Sequence, residues 1–129
     1  STHQMPLWPG SGTHEEHGKH QNILNIPIQA NTDGPAFRQK FDEIILPRLD
    51  SYEPEILIIS AGFDAHYKDP LANIELMTED YEWITHRLCD IADEHADGRI
   101  ISSLEGGYNL AALADSVAVH VKVLMERSK

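Results

Sequence analysis

The 129 residues carry 21 acidic and 10 basic side chains, a formal charge of −11, with 41% apolar and 24% charged residues. That length holds one core rather than two, and the composition is that of an ordinary globular domain. The acidic excess excludes a phosphate-neutralising nucleic-acid surface. No apolar run reaches the roughly 20 residues of a membrane span.

A single cysteine, Cys89, excludes an internal disulfide and any cysteine-based zinc knuckle. Beside Leu88 in a predicted helix, it reads as a buried, inert thiol, and a reducing, cytoplasmic setting is expected.

Residues 1–22 read as a polar loop. His3, His14, His17 and His20 fall here among Pro, Gly, Ser and Glu with little periodicity. No strand or helix scaffolds them for metal binding. Trp8, ahead of Pro9-Gly10-Ser11-Gly12, is either a core anchor or a pocket wall. The apolar segment 23–28 contains Pro27, which restricts it to an edge strand or an extended connection. Residues 31–35 form a turn cluster. Pro35 then suits the first turn of a helix running to about Ser51, with Phe37, Phe41, Ile44, Ile45 and Leu49 on one face. Pro47 is expected to kink or end that helix.

Ile56-Leu57-Ile58-Ile59 reads as a short buried strand, rich in β-branched residues. Ser60-Ala61-Gly62 let the chain turn where the strand stops. Asp64 and His66 then lie just past its carboxyl end, where open α/β sheets place their chemistry. After a loop over 69–76, Thr78 is expected to cap a helix with Glu79 and Asp80 in its positive first turn. Tyr81, Ile84, Leu88 and Ile91 mark its inner face. Residues 99–104 repeat the strand design, and Glu105-Gly106-Gly107-Tyr108-Asn109 follow. Asn109 caps a last helix whose Leu110, Leu113, Val117, Val121 and Leu124 are expected to face inward. The αβαβα order over 23–125 predicts parallel strands with right-handed crossovers. A shared parallel sheet would bring Asp64 and Tyr108 out at one edge. Two strands are few for a covered parallel sheet, so the residues read as the latter part of a larger domain.

The run Ser60-Ala61-Gly62-Phe63-Asp64-Ala65-His66 with Asp69-Pro70, followed by Leu104-Glu105-Gly106-Gly107-Tyr108-Asn109, closely resembles the zinc-dependent histone deacetylase family of the arginase–deacetylase fold. Residues 1–12 and 22–27 match that family in the same order. Phe63 and Glu105 are more similar to its class II and bacterial members than to class I. The resemblance implies an α/β fold, part of a three-layer αβα domain with a parallel sheet, of which residues 1–129 form a C-terminal portion.

Carried over by position, the resemblance implies that Asp64 is a ligand to a catalytic Zn2+ and that Tyr108 donates its hydroxyl to the oxyanion. It implies that Gly106, Gly107 and Trp8 line the substrate channel, and that Ser1 and Thr2 lie near a structural monovalent cation. The implied substrate is an acetylated protein or a small acetylated amine. The family's tandem histidines and its two other zinc ligands have no counterpart in residues 1–129. His66 stands where arginase-like members carry a second bridging carboxylate. The resemblance therefore implies a single zinc, with His66 on the rim or just behind the ligands and Asp69 orienting the loop or the family's histidines rather than binding zinc. Two other readings stay open: a non-catalytic interaction module with a vestigial site, and an arginase-like ureohydrolase, which His66 disfavours. Self-association or a complementary fragment is expected for residues 1–129 alone, because missing strands would bare the apolar faces of 56–59 and 100–101.

Overall fold

Two pairs of parallel strands carry the fold, described by a computed structural model over residues 1–7 and 10–128. Strand β1 (Thr2–Gln4) pairs with β2 (Ile26–Ile28), His3 opposite Pro27. Strand β3 (Leu57–Ala61) pairs with β4 (Ile100–Leu104), Ala61 opposite Leu104. The 1–22 segment is therefore not all loop. Its first residues form a strand too short to show a period, and Ser1 donates its terminal ammonium to the Leu24 carbonyl at 2.7 Å. Pro27 is tolerated because, among the described residues, β2 has a strand partner on one side only.

Helix α1 (Gly34–Lys40) starts with Pro35 in its first turn, and the Asp33 carboxylate accepts from Ala36 N–H at 3.0 Å. Pro47 does not end the helical run. A π-helical turn over Phe41–Ile45 precedes α2 (Leu46–Tyr52), so Pro47 sits in the first turn of α2, where its missing N–H is not needed. The widened turn rotates Ile44 toward solvent and leaves Phe37, Phe41 and Ile45 on the core.

Helix α3 (Thr78–His95) is not capped by Thr78, which lies one residue inside it. Asp80 does that work, accepting the Met77 N–H at 2.7 Å through one oxygen. Its other oxygen accepts from Arg38 Nε at 2.7 Å, which ties α1 to the start of α3. Helix α4 (Leu110–Glu126) is capped by Asn109, whose side-chain oxygen accepts from Ala112 N–H. It packs along α3, and Arg127 beyond its end donates to Asp90 at 2.9 Å and Asp93 at 2.7 Å. The inner face of α4 is Ala112, Ser116, His120 and Val123, with Leu113, Val117 and Leu124 half-buried. Leu110 and Val121, expected inward, are exposed.

Pleat alternation turns Leu57, Ile59 and Ala61 of β3, with Ile100, toward α3 and the core. The opposite face carries Ile58 at 67% and Ile101 at 54% exposure. Among the described residues, the sheet is thus covered on one face only, where a fully buried strand was expected. The main core gathers Ile26, Ile28, Phe37, Phe41, Phe63, Ile74, Leu76 and Tyr81 between the two strand pairs. Burying side chains of this size is worth about 1.5–3 kcal/mol each.

Candidate functional site

Parallel pairing of β3 and β4 sets the carboxyl ends of both strands side by side, and both following loops start there. Three hydrogen bonds lace the loops together. Glu105 N–H donates to Ala61 O at 3.0 Å, Phe63 N–H donates to Gly106 O at 2.9 Å, and Tyr108 N–H donates to Asp69 Oδ2 at 2.8 Å. The second oxygen of Asp69 accepts from Leu71 N–H at 2.9 Å, and the carboxylate is buried. One carboxylate therefore fixes the positions of Leu71 and Tyr108. Leu71 is an exposed apolar residue, and its link to Tyr108 through Asp69 has no signal in the sequence.

Asp64 is half-buried. Burial holds its carboxyl above the ordinary carboxylate range, its own backbone N–H opposes that, and the charge of Asp69 adds to it. Among the described residues, no Lys, Arg or His forms an ion pair with it. Gly106 forms the cradle for this carboxylate: a Cβ there would stand 2.5 Å from Asp64 Oδ2 and 2.9 Å from its Cγ. Gly107 has φ +135°, and a Cβ would meet Leu113 Cδ1 at 2.8 Å and Phe63 Cβ at 3.1 Å. Both glycines are thus required by space, and Gly107 also by conformation. A half-buried, raised, unpaired carboxylate held in a glycine cradle suits one coordination position of a hard or borderline cation. Asp64 and Gly106 line a cavity of about 680 Å³ that β1 and the core also line.

Tyr108 leaves β4 by two glycines and is 56% exposed at the mouth of this loop pair. His66 is not on the rim. It is 3% exposed, its ring stacks on Tyr67 at 4.9 Å and lies parallel to Tyr81 at 6.4 Å, and Nδ1 accepts from Lys68 N–H at 3.2 Å. Burial and the Lys68 charge hold its pKa below the ordinary value. The tight loop tucks it inward: Leu76 N–H donates to Ala65 O, and Tyr67 N–H donates to Leu76 O. Trp8, expected in the channel wall, lies outside the described residues.

The N-terminal histidines are used locally. His3 Nε2 is 2.8 Å from Gly12 O, and His14 Nδ1 is 3.4 Å from Asn25 O. Asp50, Glu94 and His95 do bring ligand atoms within 4.8 Å of one another. They lie at the far end of α3, and an 18-residue helix is about 27 Å long, so they are no part of the Asp64 site.

The family described as "Histone deacetylase domain" matches residues 1–124. An uncharacterized Synechocystis protein is 42% identical over 125 residues, covering 97% of this chain and 40% of that protein. The chloroplastic histone deacetylase 14 of Arabidopsis thaliana is 39% identical over 128 residues, covering 97% of this chain and 30% of that protein. The crystal structure of the HDA15 HD domain superposes with a TM-score of 0.87 at 30% identity, covering 97% of this chain and 36% of that one. The chain spans two-fifths or less of the length of each of these three.

Proposed function

The chain belongs to the histone deacetylase family, and from that premise we propose that it supplies part of the active site of a zinc-dependent amidohydrolase acting on acetyl-lysine or a related acetylated amine. The observation that carries the reading is the Asp64 carboxylate: half-buried, without a cationic partner among the described residues, and cradled by the glycine loop that delivers Tyr108.

Asp64 would hold the zinc, with the remaining ligands coming from beyond these residues. When bound, zinc supplies a Lewis acid that polarises the amide carbonyl and lowers the pKa of a water. The chain's own residues do the rest. Tyr108 presents a phenolic O–H, a donor able to meet the negative oxygen that develops on the acetyl carbon. Asp69 takes the Tyr108 N–H and so fixes where that phenol starts from, through a charge-assisted bond. Gly106 keeps the space beside the Asp64 carboxylate free of a side chain, and Gly107 lets the loop close on Phe63 and Leu113. Leu71 and Tyr108, both exposed and both held by Asp69, offer an apolar and an aromatic wall to an acyl-amine chain.

His66 supports a single-metal reading over a ureohydrolase with two metals. By its position in the motif it stands where arginase-like members carry a bridging carboxylate, and its ring is turned toward Thr78 and Tyr81. Ser1 and Thr2 would join a monovalent-cation site only with further ligands from beyond these residues.

The test is Tyr108→Phe in the whole protein, assayed on an acetyl-lysine peptide. Removing one oxyanion donor should lower kcat by about 10²-fold or more with zinc content unchanged. Undiminished turnover would refute the role.

A further inference from the structure

On the inner face of α4, at the buried end of the cavity that Asp64 and Gly106 also line, His120 is 7% exposed and hydrogen-bonded at both ring nitrogens. Its tautomer follows from its neighbours. Thr85 Oγ1 lies 2.6 Å from the Tyr81 carbonyl, a contact in which only the hydroxyl can donate. With its single hydrogen spent, Thr85 must accept from His120 Nδ1–H across their 2.8 Å contact. In the neutral ring Nε2 then accepts from the Ser102 hydroxyl across their 2.9 Å contact. The chain of donors runs Ser102, His120, Thr85, Tyr81 carbonyl, and it joins β4, α4 and α3. Burial lowers the imidazole's pKa, with no carboxylate contributing.

The ring so fixed is a support. The Phe63 ring forms a T-shaped pair with it at 5.8 Å between centroids and packs on Tyr81 at 5.1 Å. Phe63 is the residue before Asp64, its N–H holds the Gly106 carbonyl, and its Cβ sits where a Gly107 Cβ would come within 3.1 Å. Phe63 is therefore the wedge between the buried network and the two glycines that deliver Tyr108.

We infer that His120, with its Nδ1–H given to Thr85, is a positioning residue that sets Phe63 and through it the Gly106–Gly107–Tyr108 loop. The inference rests on the deacetylase reading, in which Tyr108 is the oxyanion donor.

The experiment uses the zinc-loaded whole protein, with an acetyl-lysine peptide as substrate. His120→Leu and Ser102→Ala are each made in the native and the Tyr108→Phe backgrounds. His120→Leu should lower kcat roughly threefold to tenfold, the rate equivalent of one or two neutral hydrogen bonds, with KM and zinc content held. In the Tyr108→Phe background that loss should disappear, because the group being positioned is gone. Ser102→Ala removes only the outer hydrogen bond and should show a smaller loss with the same dependence on Tyr108. It carries the comparison if His120→Leu fails to fold. Equal losses in both backgrounds, or no loss in either, would overturn the inference. An inactive native protein, or full turnover by Tyr108→Phe, would remove the deacetylase reading itself and this inference with it.

Discussion

Gly106→Ala separates site geometry from fold stability. Gly106 lies outside the left-handed region, so alanine meets no backbone penalty there. The added Cβ would stand 2.5 Å from Asp64 Oδ2, whereas ordinary contact starts at 3.4 Å, so the carboxylate must retreat by about 0.9 Å. What gives way is the end of a short side chain, and an off-rotamer χ costs only about 0.5–1.5 kcal/mol. The same shift is ruinous for chemistry, since a misplacement of about 1 Å can cost 10²-fold in rate. In the whole protein, Gly106→Ala should therefore keep a melting temperature close to that of the native protein. Its zinc affinity and kcat should each fall by at least tenfold. Gly107→Ala is the contrast. There the alanine must adopt φ +135° and press on Leu113 and Phe63, so stability itself should drop, by about 1–3 kcal/mol for the backbone alone. Thermal melts, zinc titration and steady-state kinetics on both variants decide the matter. A Gly106→Ala protein with native zinc affinity and turnover would refute the claim that this cradle holds the reactive carboxylate.

Stability should fall with acid as His120 charges. Its folded pKa lies below the unfolded value of 6.5, so its contribution is complete above that value. It is lost as pH falls from about 6.5 toward the folded pKa, and denaturant melts of His120→Leu should lack this component. A native-like pH dependence in His120→Leu would contradict the assignment. Residues 1–129 alone should self-associate through the bare Ile58 and Ile101 face, and Ile58→Lys with Ile101→Lys should shift sedimentation toward the monomer. An unmodified chain that sediments as a monomer at all concentrations would contradict this.

The strands β3 and β4, their parallel pairing and the cap at Asn109 were legible because short apolar runs and turn residues report on local structure. Other features needed the fold. β1 is three residues long, below the reach of any period. On α4, apolar residues occur nearly all round, so periodicity favoured Leu110 and Val121. The packed face instead took the small Ala112 and Ser116, which let α4 lie close to its neighbours, and His120, to which Thr85 of α3 and Ser102 give partners. Thr78 looked like a cap, but Asp80 reached back to Met77 N–H first. At the candidate site, the positions of Asp64 and Tyr108 followed from strand ends. His66 could not be placed, since its burial depends on Leu76 bridging back to Ala65 and Tyr67. The reach of Asp69 to Tyr108 spans 39 residues and leaves no local trace.

The most direct test of the central claim is zinc affinity in the whole protein carrying Asp64→Asn, measured by competition with a chromogenic chelator. A neutral amide supplies no charge, so the loss should exceed the roughly 10–100-fold of an indirect partner. The fold should be kept, because among the described residues Asp64 forms no ion pair. Native zinc affinity in that variant would contradict the account.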